Sequence, residues 1–291
     1  MTLEQLRIFI AVAEREHITR AADALHLTQS AVSSAVTALE AGYGLTLFDR
    51  VGRRIVLNQN GQAFLPEAKA VIARAKAAAA ALADLSNLSR GQLSIMASQT
   101  IGSYWLPRRL VAYRQKFPGI EISVALTNTE RVADGIESGT AEIGLVEGVV
   151  DRGSLSSAAI ATDEMSIVVG RNHPWYGRVA LTDADLLAAK WVVREPGAGT
   201  RGAFDAMMKS HGLYGAELSI AAVLPDLEAI LGTVEAGFEA TLVSLSASAS
   251  RVAAGTVFAI PSPVWRRSFY LLRHKERYRT KAAEAFVTTL T

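Results

Sequence analysis

The sequence predicts an α/β protein whose N-terminal part is helical apart from one short β-hairpin. Residues 1–65 contain no proline and no tryptophan, whereas all eight prolines and all four tryptophans lie at Pro66 or beyond. Apolar residues recur every three or four positions up to about residue 88, and from Gln92 short apolar runs alternate with helical patterns. The chain has 291 residues, half of them apolar, which is enough for about two compact domains.

The first two helices are predicted from apolar spacing and a capping residue. A first helix closes near Glu16–His17, and its apolar face is formed by Leu3, Leu6, Ile10 and Ala13. A second, short helix covers about Arg20 to Leu25, with Thr19 as its predicted cap. Ala21, Ala22 and Leu25 face inward on this helix.

The third helix follows a tight turn at His26–Leu27. Thr28 can cap it, and it covers Gln29 to about Ala41 with a buried stripe of Val32, Val36 and Leu39. The opposite face carries short polar side chains: Gln29, Ser30, Ser33, Ser34 and Thr37. Two short helices joined by such a turn form a helix-turn-helix.

A β-hairpin wing is predicted after Gly44, where the chain reads LTLFDRVGRRIVLNQNG. Gly52 supplies the turn, and the residues that can be buried are Phe48, Ile55 and Leu57. Around its tip lie Arg50, Arg53 and Arg54. Guanidinium groups beside a glycine turn suit contact with a phosphate backbone or a minor groove, although an isolated hairpin could equally carry ordinary surface arginines.

A long helix is predicted from the capping residue Asn58 to about Leu88. Small and apolar side chains form a thin stripe along it: Ile72, Ala75, Ala79 and Leu82. Pro66 should kink this helix or mark its first turns. Because the stripe has little to pack against within the chain, self-association is the expected use, and folding back onto the C-terminal domain is the alternative.

The rest of the chain alternates strands and helices, which predicts parallel α/β sheets. The strands are LSIMAS, IEISVALTN, AEIGLVEG, MSIVVG, KWVVRE, LSIAAVL and ATLVSLS, and the helices include Leu106–Lys116, Arg131–Ser138, Gly202–Gly212 and Asp226–Glu235. About 200 residues is long for one such sheet. Leu155–Gly170 and Pro261–Pro263 are the predicted crossings between two lobes with a cleft between them.

Composition excludes several function classes. The chain has no cysteine, so it has no disulfide framework and no thiolate site. No apolar run approaches the roughly 20 residues of a bilayer span, and the N-terminus lacks secretory-signal features, so a cytoplasmic protein is expected. There is no GxSxG, HExxH or Walker motif, and the five histidines lack ligand spacing. We therefore predict no catalytic site, no metal site and no cofactor.

One motif resembles a cofactor site. GAGTRG, Gly197–Gly202, fits the dinucleotide pattern GxGxxG, follows an apolar strand and precedes Glu217 by about 20 residues. Pro196 interrupts the link from strand to turn, and the motif lies far from the start of the α/β region. The expectation that remains is an anion held by the exposed amides of a helix N-terminus, with Thr200 and Arg201 beside them.

Residues 1–90 resemble the winged helix-turn-helix and linker helix of LysR-type transcriptional regulators. The stretches that carry the resemblance are LRIFIAVAE, ITRAADALHLTQSAVSSAVTALE, LTLFDRVGRR and LPEA. From Gln92 the order of strands and helices resembles the two-lobed, periplasmic-binding-protein-like effector domain of the same family. GSYWLPRRLVAYRQKFPGIEI, EIGLVEG and REPGAGTR are most similar to the subgroup of carbon-fixation and sulfur-assimilation regulators.

The resemblance implies a domain plan. The winged helix-turn-helix would cover residues 1–58, the dimerising linker helix 59–89 and the effector-binding domain 90–291. Lobe I would comprise residues 90–162 and 267–291, and lobe II residues 163–266.

The resemblance also implies a DNA-binding surface. The third helix would enter the major groove with Gln29, Ser30, Ser33, Ser34 and Thr37 toward bases or phosphates, and the wing would contact the backbone or minor groove through Arg50, Arg53 and Arg54. Many family members carry a long polar residue just after the position of Ser33, where this chain has Ser34 and Ala35. Gln29 is then the best direct base reader, and DNA shape and half-site spacing should supply much of the specificity.

An effector site is expected at the carboxyl ends of the strands, where open α/β sheets bind ligands. Its predicted residues are Ser98, Gln99, Thr100, Thr127, Asn128, Glu147, Gly199, Thr200 and Arg201. The expected ligand is a small carboxylate, phosphate or sulfur oxyanion, although the serines and threonines could simply cap helices.

The predicted function is sequence-specific transcription regulation by a homodimer or homotetramer on double-stranded DNA with two-fold half-sites, modulated by a small effector. Two other functional classes share parts of this pattern. A solute-binding protein would need an export signal and would have no use for residues 1–88. An NAD-dependent enzyme built on GAGTRG would bind the cofactor tightly.

Overall fold

The computed structural model describes residues 1–52, 54–84, 91–214, 217–237, 239–261 and 265–290. Contacts divide the chain into two compact units, one formed by residues up to 84 and the other by most of the residues from 91 onward. Within these ranges no helix is both long enough and apolar enough to cross a bilayer.

The first unit begins with three helices: α1 Leu3–Arg15, α2 Ile18–Leu25 and α3 Gln29–Ala41. Helix α1 ends at Arg15, and the left-handed backbone of the next residue, Glu16 (φ 48°), turns the chain; His26 (φ 55°) does the same after α2. The predicted cap Thr19 is wrong, because α2 starts at Ile18, two residues before the predicted start at Arg20. His17 caps it, its Nδ1 accepting the amide of Arg20 at 3.5 Å.

The wing and the long helix complete this unit. Strand β1 covers Phe48–Val51 and pairs antiparallel with β2, Arg54–Leu57. Helix α4 covers Gln59–Asp84, and the predicted cap Asn58 is confirmed because its Oδ1 accepts the amide of Gly61 at 3.0 Å. The predicted end of this helix near Leu88 lies outside the described residues.

The second unit contains nine strands and seven α-helices among the described residues. The strands are β3 Gly91–Ser98, β4 Ile120–Thr127, β5 Ile143–Glu147, β6 Leu155–Gly170, β7 Lys190–Arg194, β8 Ser219–Leu224, β9 Ala240–Ser244, β10 Val257–Ala259 and β11 Trp265–His274. The helices are α5 Leu106–Lys116, α6 Thr129–Ser138, α7 Asp183–Ala188, α8 Gly199–Ser210, α9 Leu227–Ala236, α10 Leu245–Ala253 and α11 Lys281–Thr288, with a π-helical turn at Ile101–Trp105.

The sheet of this unit is mixed rather than wholly parallel. Its order is β4-β3-β5-β11-β6-β9-β7-β8, with β10 beside β6. Strands β3, β4 and β5 are parallel, as are β7, β8 and β9. The two parallel groups are joined by β6 and β11, which run antiparallel to each other along ten residue pairs. The predicted parallel pairing therefore holds within the two groups and not at the centre, where β6 runs antiparallel to β11 and β9.

Each side of these long strands has its own hydrophobic core. One core includes the fully buried Leu93, Tyr113 and Phe286, and the other includes Trp191 and Phe204. The extended stretch Leu155–Gly170 is one crossing between the two lobes, as expected. The return crossing described by the structure is β11, and the predicted crossing at Pro261–Pro263 falls partly outside the described residues.

Candidate functional sites

Helix α3 presents a polar face to solvent. Its apolar stripe of Val32, Val36 and Leu39 is buried, and Thr28 caps it by accepting the amide of Ala31 at 3.2 Å. This packing leaves the predicted DNA-contacting residues on the outside: Gln29, Ser30, Ser34 and Thr37 are exposed and Ser33 is half-buried.

The wing is tied to the helices by hydrogen bonds that backbone amides donate to a side chain and to a carbonyl. Oε1 of Glu40, on α3, accepts the amides of Leu47 at 2.7 Å and Phe48 at 3.3 Å. The amide of Ile55 donates to the carbonyl of Glu16 at 3.2 Å. These bonds join the hairpin to α1 and α3.

The described wing arginines lie on either side of the turn. Arg50 is on β1 and Arg54 is on β2, both are exposed, and neither forms an ion pair with a described residue. Gly52 has φ +62°, a backbone conformation that glycine adopts without strain. This conformation allows a tight turn in the hairpin. Arg53 lies outside the described residues.

The second unit contains a cavity of about 680 Å³ between its lobes. Its walls come from the N-terminal part of α6, the loop after β5, the loop and first turns of α8, and the start of β11. The lining residues that matter below are Glu130, Glu147, Arg152, Ala198, Gly199, Arg201, Asp205, Trp265 and Arg267.

Three of the nine predicted effector residues line this cavity: Glu147, Gly199 and Arg201. Thr100 and Thr200 are buried behind its wall and bond to an arginine described below. The hydroxyl of Ser98 points into the sheet, toward the carbonyl of Leu145 at 3.4 Å. Thr127 ends β4 and is half-buried, outside the cavity lining.

Gln99 and Asn128 connect the two lobes. The side chain of Gln99 donates to the carbonyl of Pro225 at 3.1 Å and accepts the amide of Leu227 at 2.9 Å. Asn128 donates to Glu195 at 3.0 Å, and nearby the amide of Glu130 donates to the carbonyl of Gly197 at 3.2 Å. Both predicted residues therefore make hydrogen bonds between the lobes.

Arg267 is the central residue of the site, although it is not among the residues predicted from the sequence. Its side chain is only 6% exposed. Nε donates to Asp163 at 2.9 Å, Nη1 to Thr200 at 3.2 Å and Nη2 to Thr100 at 3.1 Å. The segment Trp265-Arg266-Arg267 reads as a charged surface stretch, and only its pairing with β6 turns Arg267 inward.

The acids beside Arg267 are also buried. Burial raises the pKa of Asp163 above its ordinary value. The charge of Arg267 and the hydroxyl of Ser244, which donates to Asp163 Oδ1 at 2.6 Å, act in the opposite direction and lower this pKa. The side chain of Glu147 is 3% exposed, and its Oε1 lies 3.8 Å from Nη2 of Arg267. Two buried acids therefore share one buried cation, which is the electrostatic centre of the site.

The other arginines of the cavity wall are engaged by acids outside this centre. Arg152 pairs with Asp134 at 2.6 Å and with Glu137 at 2.7 Å. Arg201 pairs with Asp205, one turn along the same helix, at 2.9 Å. Each of these cations is partly neutralised by its neighbour, so they contribute less to the potential in the cavity than their number suggests.

Helix α8 begins at the cavity. Its N-cap Ala198 makes no side-chain hydrogen bond, so the first amides of the helix have no side-chain acceptor at that position. Gly197 before it has φ +84° and packs against Glu130. The motif GAGTRG thus forms a loop and helix N-terminus that lines the cavity wall.

Comparison with known proteins identifies both units. Residues 3–62 match the family described as bacterial regulatory helix-turn-helix protein, lysR family, and residues 86–291 match the LysR substrate binding domain. The chain is 32% identical over 290 residues to a protein of Trichormus variabilis named probable RuBisCO transcriptional regulator, covering 98% of this chain and 86% of that protein. It is also 32% identical to the HTH-type transcriptional regulator YeiE of Escherichia coli, covering 99% of this chain and 96% of that protein.

Solved structures share the fold. Full-length CbnR, solved in complex with its target DNA, matches with a TM-score of 0.72 at 24% identity, over 100% of this chain and 99% of that one. The regulatory domain of CcmR from Synechocystis, solved in complex with 2-PG, matches with a TM-score of 0.63 at 21% identity, over 69% of this chain and 96% of that one. The resemblance predicted from the sequence is confirmed, including its similarity to carbon-fixation regulators. This chain belongs to the LysR family: it is a DNA-binding transcriptional regulator with an N-terminal helix-turn-helix and a C-terminal effector-binding domain.

Proposed function

We propose that this regulator reads DNA with the polar face of α3 in the major groove and with the wing arginines on the backbone or minor groove. The exposure of Gln29, Ser30, Ser34 and Thr37 supports base and phosphate contact. Arg50 and Arg54 support phosphate contact, because neither is neutralised by a described acid. Gln29 is the longest side chain of that set and the best candidate for direct base reading.

We propose that the cavity between the lobes binds a small anion, either a carboxylate, a phosphate or a sulfur oxyanion. The observation that carries this proposal is that Arg267 and the N-terminus of α8 line the same cavity. Of the five N–H groups of Arg267, three donate to described residues and two do not. Those two N–H groups and the helix amides are donors suited to oxyanions.

The neighbour solved with 2-PG supports a small-molecule effector in the matching domain. The volume also agrees, since about 680 Å³ falls in the usual range for small-molecule sites.

The proposed response to the effector is a population shift. Gln99 and Asn128 hold the lobes together through hydrogen bonds, so a ligand that bridges the same lobes changes the relative stability of their arrangements. In a homodimer or homotetramer this change alters the spacing of the paired DNA-binding domains. Exposed apolar residues on α4 support self-association: Leu82 is 70% exposed and Val71 is 40% exposed.

DNA recognition is tested by fluorescence anisotropy of a labelled duplex from the gene's upstream region, against a shuffled duplex, across a salt series. Sequence-specific binding predicts that the native duplex is preferred at physiological salt. Replacing Arg50 and Arg54 with alanine should weaken binding to both duplexes and reduce the salt slope by about 2. The matched control is Arg108→Ala with Arg114→Ala, which removes two exposed arginines of α5 and should leave the slope unchanged.

The effector proposal is tested by calorimetry with a panel of small carboxylates, phosphates and sulfur oxyanions, followed by the same anisotropy assay. All four tryptophans belong to the effector-binding domain, and Trp265 lines the cavity, so intrinsic fluorescence gives a second readout. If no acid of the panel produced either a heat of binding or a change in tryptophan fluorescence, an anionic effector would be contradicted. Tight saturable binding of NAD would instead favour the enzyme interpretation.

A further inference from the structure

One aromatic side chain of lobe I packs against the core of lobe II. The core around α9 and α10 is built from residues of lobe II, among them Val192, Ile230 and Leu231, and the ring of Tyr104 packs against it. Tyr104 lies on the π-helical turn that follows β3 in lobe I. Among the described residues in and around that core, Tyr104 is the one that comes from lobe I. The two lobes therefore share apolar packing through this single ring.

A hydrogen bond fixes the outer end of the same side chain. The hydroxyl of Tyr104 donates to a carboxylate oxygen of Glu228, in the first turn of α9. Arg251 of α10 pairs with that carboxylate at 2.9 Å, so the acceptor is held within lobe II. Burial and the carboxylate of Glu228 raise the pKa of Tyr104 far above its ordinary value, so the phenol remains a donor at neutral pH.

Gln99 holds the start of α9 at a second point. Its side chain bonds to the carbonyl of Pro225 and to the amide of Leu227. Gln99 and Tyr104 belong to one short segment of lobe I, residues 99–104, and their partners belong to one short segment of lobe II, residues 225–228. These two segments form a single polar and apolar contact, which is called the α9 contact below.

A different set of contacts joins the lobes beside the strands that connect them. Strand β5 of lobe I lies next to β11. A Cβ on Gly199 would lie 2.6 Å from the carbonyl oxygen of Glu147, so only glycine lets the start of α8 pack this closely against the end of β5. Arg267, on β11, is 6% exposed and donates to the buried hydroxyls of Thr100 in lobe I and Thr200 in lobe II. Water does not readily replace contacts that are buried in this way.

The α9 contact lies further from the connecting strands and is open to water. Strand β3 is separated from β11 by β5, and β8, which precedes α9, is the outermost strand of lobe II. Neighbouring strands are about 4.8 Å apart, so a rotation about β6 and β11 displaces the α9 contact more than the packing of α8 on β5. The side chain of Glu228 is 57% exposed, so water can replace the phenol of Tyr104 as its partner.

We propose that Tyr104 is the latch between the lobes: its ring and hydroxyl hold α9 against lobe I, and their release lets the lobes rotate apart about β6, β11 and the close packing of α8. This inference rests on the population shift between lobe arrangements proposed above, and it identifies the contact at which those arrangements differ. Gln99 belongs to the latch, whereas Arg267 belongs to the hinge. A rigid-body rotation of about 15° displaces a group about 20 Å from the axis by about 5 Å.

Distances between paired spin labels in the full-length protein test the latch, and the chain has no cysteine of its own to interfere with labelling. The first pair, Ala112→Cys with Ala236→Cys, joins exposed positions of α5 and α9 and spans the α9 contact. The second pair, Asp151→Cys with Lys209→Cys, joins the exposed loop after β5 to α8, on the hinge side. An excess of unlabelled protein keeps distances between copies out of the signal.

Tyr104→Ala removes both the ring and the hydroxyl of the latch. The distance within the first pair should lengthen or spread by about 5 Å, and that within the second by less than about half as much. Tyr104→Phe keeps the ring and loses the hydrogen bond, so it should give a smaller change in the same direction. If Tyr104→Ala does not fold, which tryptophan fluorescence reports, Tyr104→Phe decides: a change in the first pair supports the latch, and no change overturns it.

The matched control is Tyr176→Ala. Tyr176 packs against Phe258 and donates to the carbonyl of Gly255 at 3.2 Å, so it makes the same kinds of contact as Tyr104 but within lobe II. Its removal should leave both distances unchanged.

An unchanged first pair in Tyr104→Ala, or an equal change in Tyr176→Ala, would overturn this inference. An equal change in both pairs would also overturn it, because the lobes would then separate without a hinge. No effector is added in these measurements, so such results would leave the anionic effector standing. Conversely, if no acid bound in calorimetry while the first pair responded to Tyr104→Ala, the effector proposal would fail and the latch would stand.

Discussion

Arg267→Met is the perturbation that examines the buried charge cluster most directly. Methionine preserves much of the length and flexibility of the side chain but removes the positive charge and all three donated hydrogen bonds. The change leaves Asp163 and Glu147 in the same buried region without a cation between them. Thr100 and Thr200 each lose a donor.

The expected loss is about 3–5 kcal/mol of unfolding free energy at neutral pH, the usual cost of removing one partner of a buried ion pair. Arg266→Met is the matched control. The side chain of Arg266 is 71% exposed and pairs with Glu164 at 2.9 Å on the surface. Removing the guanidinium of Arg266 should therefore lower the free energy of unfolding by at most about 1 kcal/mol. The difference between adjacent arginines isolates the effect of burial.

The deficit of Arg267→Met should depend on pH. The pKa of Asp163 is already raised by burial, and Arg267 is one of the groups that hold it down. Without that arginine the pKa rises further. Stability from a group with a raised folded pKa is present at low pH and lost as the pH rises through that pKa. The variant should therefore be closest to the unaltered protein in acid and furthest from it at neutral pH.

The assay is urea unfolding at about pH 7.5 and about pH 5, followed by tryptophan fluorescence. All four tryptophans lie in the effector-binding domain, and Trp175 and Trp191 are buried in one of its cores. The signal therefore reports on the domain that contains the substitution. A loss below about 1 kcal/mol at both pH values, equal to that of Arg266→Met, would refute the reasoning.

Three further outcomes are expected. Gly197→Ala should lower the free energy of unfolding in urea by about 1–2 kcal/mol, because φ at Gly197 is +84° and the new Cβ would meet Glu130. Gly202→Ala should be neutral or stabilising, because Gly202 lies inside α8 with open space around it. Equal effects of the two substitutions would contradict this prediction. Gln99→Ala removes two hydrogen bonds between the lobes, so urea unfolding should show a loss of about 1–3 kcal/mol, and an unchanged midpoint would count against this link. Leu82→Glu puts a charge on an exposed apolar site of α4 and should shift the proposed oligomer toward monomer in light scattering, while an unchanged mass would contradict an interface at this site.

The DNA-binding unit could be predicted from the sequence almost element by element. Its helices are short-range structures, and their caps and apolar stripes lie within a few residues of each other along the chain. Thr28, Val32 and Val36 behave as predicted. The exception is the start of α2, where His17 caps the helix instead of Thr19, since a histidine nitrogen is a less familiar capping acceptor than a hydroxyl.

The effector site could be predicted only in part. Glu147 is the last residue of β5, and Gly199 and Arg201 lie in the first turn of the helix that follows β7. All three line the cavity, and the sequence pattern gives both kinds of position. Thr100 and Thr200 lie at strand or helix ends as well, yet their hydroxyls face Arg267 from behind the wall. Whether a residue beyond a strand lines the cavity depends on how the lobes meet, and no local pattern contains that information.

The sequence by itself determined the family, the order of the domains and the polar face of α3, because motifs and periodicity are local properties of the chain. Only the tertiary structure decided that Asp163 and Arg267, over 100 positions apart, form a buried pair across β6 and β11. Strand pairing with that separation depends on the register of the whole sheet. The tertiary structure also decided that Glu147 is buried beside Arg267, with its Oε1 3.8 Å from Nη2 of that arginine, since the surroundings of a buried atom depend on every element packed around it.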